Sequence, residues 1–407
     1  MQIRGTDSPY LSLISTRNGM QCKLSSGGPR ASARGRPTGR PIILIDKPSL
    51  ERRVEELLAL NDLASVRKEV ENLANDLRRG PIPRGHGDTK ATSTTESASP
   101  RADVVLGELK QVRESQTLAR AKHYLRRLRD GLKEPTYGDV NEINLRRWKE
   151  YDDVWTDSLW LMGRRDSSGA HIGSYWGNFV PQIPRQLMLR YTKKGDLVLD
   201  GFAGSGTTLI ECRRLDRNGI GIELNHDVAT AARKLVGSEP VLPGRRTEIV
   251  EGDSSKVDIR PILKHFGATG VGLLIMHPPY HDIIRFSEDP DDLSNAPDVE
   301  SFLGRFAACL DNLVPFLEGD RYMALVIGDK YAGGEWIPLG FRLMEKVLAR
   351  GDFALKSIIV KNFDVTRGKR KQEELWRYRA LAGGFYVFKH EYIFIFRKRA
   401  HLKQHRI

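Results

Sequence analysis

The chain has 407 residues, of which 40% are hydrophobic and 29% charged, and 65 Lys and Arg against 52 Asp and Glu give a formal net charge of +13. That length holds one large domain or two smaller ones, and no apolar run approaches the ~18–20 residues needed to cross a bilayer. The N-terminus lacks the continuous apolar core of a secretory signal, and the three cysteines, Cys22, Cys212 and Cys309, are too far apart for a disulfide framework or a zinc cluster. A cytoplasmic protein without a metal is expected.

The charge is uneven. Residues 1–150 carry a net +9, residues 151–350 a net −5 and residues 351–407 a net +9. A mildly acidic centre between basic flanks suggests a catalytic body whose edges meet a polyanion. Residues 1–48 read as a disordered basic tail, because positions 1–40 hold seven basic residues, one acidic residue and many Ser, Gly and Pro. Within it, Arg34-Gly35-Arg36-Pro37 resembles the core of an AT-hook, since an extended Arg-Gly-Arg fits a narrow A·T-rich minor groove; a plain basic tail is the alternative. Residues 49–80 carry helical periodicity (Val54, Leu57, Leu58, then Val66, Val70, Leu73) and predict a helical hairpin, with Ser49 as its first cap and Gly80 as its end. Residues 81–101 read as a Pro/Gly/Ser/Thr linker. Residues 102–150 read as a helical basic region, in which 102–132 form one helix ending in Lys122, Arg126, Arg127 and Arg129, a cluster suited either to phosphates or to a solvated face.

From about residue 195, strand-like apolar runs alternate with helical stretches: Leu197–Leu199, Gly219–Ile222, Leu273–Met276, Ala324–Ile327, Ser357–Val360 and Tyr392–Phe396. This alternation predicts an α/β domain with a mainly parallel sheet, whose ligands lie at the carboxyl ends of the strands. The run Asp200-Gly201-Phe202-Ala203-Gly204-Ser205-Gly206-Thr207 directly follows the first strand and opens a helix. A phosphate loop needs a lysine where Thr207 stands, and a dinucleotide fingerprint needs a glycine where Leu209 stands. S-adenosylmethionine has no phosphate; it needs a glycine turn for its methionine part and a carboxylate for its ribose diol. Glu223, ending the next strand, supplies a double acceptor for that diol. Asp253, after a third strand, is a candidate acceptor for the adenine amino group, although an Asp beside Gly and Ser is also a common turn residue.

His277-Pro278-Pro279-Tyr280 follows the apolar strand Val271–Met276. Two prolines stiffen the backbone and remove two donors, so the carbonyls are free to accept from an amine and the ring beside them can stack on a base. Phe202-Ala203-Gly204-Ser205-Gly206 resembles the first motif of the amino-group (N6-adenine/N4-cytosine) DNA methyltransferases. His277–Tyr280 resembles their Asp/Asn/Ser-Pro-Pro-Tyr/Phe motif, with His in the first place. The run Gly177-Asn178-Phe179-Val180-Pro181-Gln182-Ile183-Pro184 resembles the motif that flanks the methionine part of their cofactor.

The resemblance covers roughly residues 150–400. It implies a Rossmann-like S-adenosylmethionine-dependent methyltransferase domain over 151–400, with Asn178, Phe179 and Pro181 joining the cofactor residues. It further implies transfer of a methyl group to an exocyclic amine of a flipped base in DNA, within a bacterial or phage restriction-modification setting associated with the nucleoid. RNA is the alternative substrate, and a DNA-binding regulator with a degenerate methylase body is a second alternative. A neutral imidazole at position 277 can accept one amine hydrogen but titrates near ~6.5 when unperturbed. Activity is therefore expected to fall as the pH drops through the His277 pKa, with the acid limb lost in His277→Asn. No cysteine follows a proline, which argues against the covalent route to cytosine C5. No long insert resembles a target-recognition domain. Lys369, Arg370, Lys371 and Arg377, interleaved with aromatic residues, are the expected nucleic-acid contacts.

Overall fold

A computed structural model describes residues 46–79, 100–133, 135–362 and 373–400. The Arg34–Pro37 run, Gly80, most of the 81–101 linker and the basic triplet Lys369, Arg370 and Lys371 lie outside the described residues.

Four helices come first. α1 (Lys47–Ala59) is capped by Asp46 rather than Ser49: Asp46 Oδ2 accepts from the Ser49 N–H at 3.1 Å, and Pro48 lies in the first turn, where a missing N–H costs nothing. α2 (Leu63–Arg79) follows, then α3 (Ala102–Arg113) and α4 (Leu118–Leu132). The single helix expected over 102–132 is thus two. Ser115 Oγ turns back to the Gln111 carbonyl at 2.8 Å, and Thr117 caps α4 by accepting from the Arg120 N–H at 3.2 Å. Hydroxyls that bond the local backbone compete with helical continuation. The four helices enclose their own apolar cluster, with Val54, Val70, Leu73, Leu109 and Leu125 almost fully buried. Residues 135–150 are not α-helical: Tyr137 bridges Asn144, and Leu145–Glu150 is a short 3-10 turn. This stretch ties the helices to the rest of the chain through Lys149–Glu108 and, just beyond it, Arg101–Asp152 at 3.0 Å.

The remainder is an α/β body, as the alternation predicts. Its strands are β1 (Leu159–Trp160), β2 (Leu197–Asp200), β3 (Asn218–Glu223), β4 (Thr247–Glu251), β5 (Val271–Met276), β6 (Leu317–Ile327), β7 (Lys330–Ala332), β8 (Glu335–Ile337), β9 (Phe353–Asn362) and β10 (His390–Lys398). Eight of them form one sheet in the order β1-β9-β10-β6-β5-β2-β3-β4, and β7 and β8 make a separate hairpin. All neighbours are parallel except β10, which runs against both β6 and β9. The helices of this body are α5 (Gln182–Tyr191), α6 (Thr207–Arg214), α7 (His226–Ser238), α8 (Arg260–His265), α9 (Val299–Leu313), α10 (Leu339–Ala349) and α11 (Glu373–Gly383).

Alternate residues of each strand face opposite layers. Leu197, Leu199, Leu274 and Met276 pack with Phe302 and Phe306 of α9. Val198, Leu273 and Ile275 pack with Ile183 and Leu187 of α5. The sheet body therefore starts before residue 195, because α5 covers one face and β1 pairs with the far edge. No helix among the described residues is long and apolar enough to cross a membrane. From β2 the chain first builds β3 and β4 on one side and then β5 and β6 on the other. The switch point lies between β2 and β5, where a doubly wound sheet opens a crevice for ligands.

Candidate active site

Both motif runs leave the sheet at that switch point. Asp200 ends β2 and is in register with Ile275 of β5, two residues before His277. The glycine turn is sewn to its neighbours: the Gly201 N–H donates to the Ile275 carbonyl at 3.0 Å and the Ala203 N–H to the Ile222 carbonyl at 2.8 Å. Glycine is required at position 206 for two reasons. Its φ is +81°, and a Cβ there would stand 2.5 Å from Val236 Cγ2. Beneath the turn, a Cβ on Gly221 would stand 2.8 Å from Ala203 Cβ.

The acids of the turn differ in their surroundings. Asp200 is fully buried; its Oδ1 accepts from the Phe202 N–H at 2.9 Å, the Thr208 hydroxyl is a further neighbour of the carboxyl, and no cationic side chain among the described residues pairs with it. Burial pushes its carboxyl up to about 6. Glu223 receives one backbone N–H on each oxygen, from Asn225 and from Gly204, both at 2.9 Å. Burial raises its pKa against those two bonds. Each carboxylate oxygen accepts more than one bond, so acceptor capacity remains. Asp253 is already engaged. It accepts from the Ser255 N–H at 2.8 Å and from the Ser255 hydroxyl, and pairs with Lys256 at 3.3 Å. Its geometry is that of a turn residue.

The Asn178 segment is the clasp of the site. Asn178 Nδ2 donates to Ser205 Oγ at 2.8 Å, and Asn178 Oδ1 accepts from Thr207 Oγ1 at 2.7 Å. The next residue, Phe179, is buried and sets its ring edge-on to His277, with centroids 4.7 Å apart. Pro181 then enters α5, its carbonyl accepting from the Arg185 N–H at 3.2 Å. Arg165 fixes the clasp from behind by donating to the Phe179 carbonyl at 2.9 Å and the Ile172 carbonyl at 2.9 Å. Three runs far apart in sequence thus share one crevice.

His277, Pro278, Pro279 and Tyr280 continue from β5. His277 is partly covered, and burial pushes its imidazole down to about 4. This corrects the expectation of a group titrating near neutrality: the ring has lost the water that would stabilise its charge. Tyr280 lies against Gly328, where a Cβ would stand 2.7 Å from the ring, and donates its hydroxyl to Glu391 Oε2 at 2.8 Å. Phe202 is half-buried beside the turn. Arg377 is exposed on α11, which connects β9 to β10 and so stands at the same end of the sheet as His277.

Several neighbours carry no signal in the sequence. Tyr175 covers Gly204, with its ring 3.0 Å from where a Cβ would sit, and leans on Phe286 at 6.3 Å between centroids. Burial, with Glu223 and Asp292 close by, pushes the Tyr175 phenol well up. His281 is buried at φ +52°; its Nε2 bonds the Ala296 carbonyl at 2.9 Å, and Lys330 reaches its Nδ1 at 3.1 Å. That pair of bonds anchors the 281–298 connection that carries Phe286 and Asp292. Elsewhere, Asp166, His171 and Glu211 converge, and the Arg214 guanidinium spans Asp166 and Glu211 at 3.3 and 3.1 Å as their counter-charge.

A DNA methylase family model matches residues 108–234, a stretch that includes the clasp and the glycine turn. Over that stretch the chain is similar to a family of DNA methylases. It is similar to the Type II methyltransferase M.MjaII of Methanocaldococcus jannaschii, at 28% identity over 111 residues, 23% of this chain and 21% of that protein. It is similar to M.Cfr9I of Citrobacter freundii at 37% identity, over 20% of this chain and 26% of the relative. M2.DpnII of Streptococcus pneumoniae shares 36% identity over 25% of this chain and 36% of its own length. The chain thus spans between a fifth and about a third of the methylase relatives it matches.

Proposed function

We propose that the chain is an S-adenosylmethionine-dependent methyltransferase acting on an exocyclic amine, adenine N6 or cytosine N4, of a base in DNA. The observation that carries this reading is the convergence at the switch point between β2 and β5, where Asn178 and Phe179 join the glycine turn to His277. The fully buried Asp200 carboxyl, which no cationic side chain among the described residues balances, fits a cationic ligand such as the methionine ammonium. Glu223 retains acceptor capacity for the ribose diol. When bound, the cofactor supplies a methyl group on an electrophilic sulfonium.

The chain's own contribution is positioning. Amine nitrogens of bases are weak nucleophiles because the lone pair is delocalised into the ring. Acceptors on His277 and on the Pro278 carbonyl hold the two amine hydrogens and favour a more tetrahedral nitrogen. Holding that nitrogen in line with the departing sulfur is the largest available source of rate. The base must first leave the helical stack, and Arg377 together with Lys369, Arg370 and Lys371 is suited to holding the nucleic acid at this end of the sheet.

The test is transfer of tritium from labelled cofactor to duplex DNA and, in parallel, to tRNA. Label on DNA supports the reading, label on tRNA alone replaces the substrate, and no transfer to either overturns the reading. In the same series Asp200→Asn weakens cofactor binding by on the order of a hundredfold, the scale of one lost charge-assisted contact. An unchanged Kd by calorimetry removes Asp200 from the cofactor site.

A further inference from the structure

Behind the His277 shelf lies a buried ionic chain that the transfer reaction as described does not use. Lys361 on β9 and Glu391 on β10 are direct cross-strand partners, 6% and 7% exposed, with Nζ and Oε1 3.0 Å apart. The second carboxylate oxygen takes the Tyr280 hydroxyl at 2.8 Å. Tyr280 Oη in turn lies 3.4 Å from His277 Nε2. A buried ion pair is seldom a gain in stability over apolar residues of the same volume, so its presence here calls for a role.

The directions of these bonds are set by what each group can do. Glu391 Oε1 faces the Lys361 ammonium at 3.0 Å, and a carboxylate in such an ion pair only accepts. Tyr280 has one hydroxyl proton, which is therefore committed to Glu391. Its oxygen can only accept on the side facing His277, so Nε2 must carry the hydrogen. A neutral imidazole has a single N–H, and the other nitrogen is then a bare acceptor.

We propose that Glu391, anchored by Lys361, is a positioning residue that fixes the His277 tautomer through the Tyr280 hydroxyl, leaving Nδ1 as the acceptor for a hydrogen of the target amine. The inference rests on reading His277–Tyr280 as the amine shelf. The 3.4 Å contact is long for a hydrogen bond, as such contacts often are before substrate tightens them. The same chain explains how His serves in a place where relatives carry Asp, Asn or Ser. A carboxylate is an acceptor in any orientation, whereas an imidazole accepts on the correct side only if something selects its tautomer.

The experiment is nitrogen-15 NMR on the full chain with labelled histidine, His277 being assigned by the resonance lost in His277→Gln. The wild-type signal is expected to show the Nε2–H tautomer. Tyr280→Phe, which keeps the ring and the ion pair, is expected to give a tautomer mixture and to lower kcat on the order of tenfold to a hundredfold with cofactor Kd unchanged. Glu391→Gln should move both readouts the same way; if it does not fold, Tyr280→Phe carries the test. An Nδ1–H tautomer in the wild type, or a tautomer indifferent to the Tyr280 hydroxyl, overturns the proposal. A tautomer shift without methyl transfer to any nucleic acid removes the functional reading and leaves the positioning chain standing.

Discussion

At the residue scale, His277 is an imidazole kept from taking up a proton. Burial holds its pKa at about 4 in the folded chain, against the usual ~6.5 in the unfolded one. Between these values the unfolded state binds more protons, so stability rises with pH across that window, is fully present above ~6.5 and is lost as the pH falls towards 4. Activity at saturating cofactor is accordingly expected to show no His277-dependent step near pH 6.5, whereas kcat/KM for the cofactor falls as the Asp200 carboxyl, raised to about 6, takes up a proton. His277→Asn should flatten the rise of stability between pH 4 and 6.5. An acid limb centred at 6.5 in the wild type and absent from the variant would contradict this. The motif itself was legible because Pro-Pro fixes a backbone locally. Glu391 was not, since its partner Tyr280 lies 111 residues away and only the sheet brings them together. Asp46 was missed as a cap for a local reason: Pro48 moves the helix start two residues upstream of Ser49.

At the scale of elements, the turn after β2 depends on what lies beneath it. Gly221 on β3 supports Ala203 and Leu209, and a methyl group there would stand 2.8 and 2.9 Å from them. Ala203 has no side-chain torsion to turn, and Leu209 is fully buried with no open space to turn into. Gly221→Ala is expected to cost about 1–3 kcal/mol, the usual penalty of overpacking, and to weaken cofactor binding because the turn is displaced. Urea denaturation and calorimetry read both effects. Gly304→Ala in α9, where an added Cβ meets nothing within 4 Å, is the control and should gain about 0.5–1 kcal/mol. If both variants behave alike, the turn is softer than its contacts indicate. Periodicity carried most of this level: each of the six apolar runs lies within a strand, because buried parallel strands are continuous in apolar character. It failed where tertiary pairing alone makes the element. β1 is two residues long, and its existence depends on β9.

At the scale of the whole molecule, the four-helix cluster is separate from the clusters that flank the sheet, and polar pairs such as Arg101–Asp152 join them, which implies two cooperative units. Leu125 is fully buried in the four-helix cluster. Leu125→Ala should cost that unit about 2–5 kcal/mol and separate the denaturation profile into two steps. The first should follow helical signal alone, while cofactor affinity persists to the second. A single concerted transition would mean that the helices and the sheet fold as one. The uneven charge was visible from composition, but the break at residues 114–117 was not, since the apolar spacing continues across it and only the Ser115 and Thr117 hydroxyls decide the outcome.

Among the described residues, one side of strand β9 is closed only by the short stretch around Leu159, where the Val360 N–H donates to the Ser158 carbonyl at 2.8 Å. Trimming the polypeptide back to where alternation first becomes obvious would strip that cover and expose a row of unsatisfied backbone groups, the sort of bare margin along which sheets join one another and precipitate. Anyone isolating the sheet body should therefore cut ahead of Trp155, whose ring packs edge-on against Trp160, rather than at the first glycine-rich landmark.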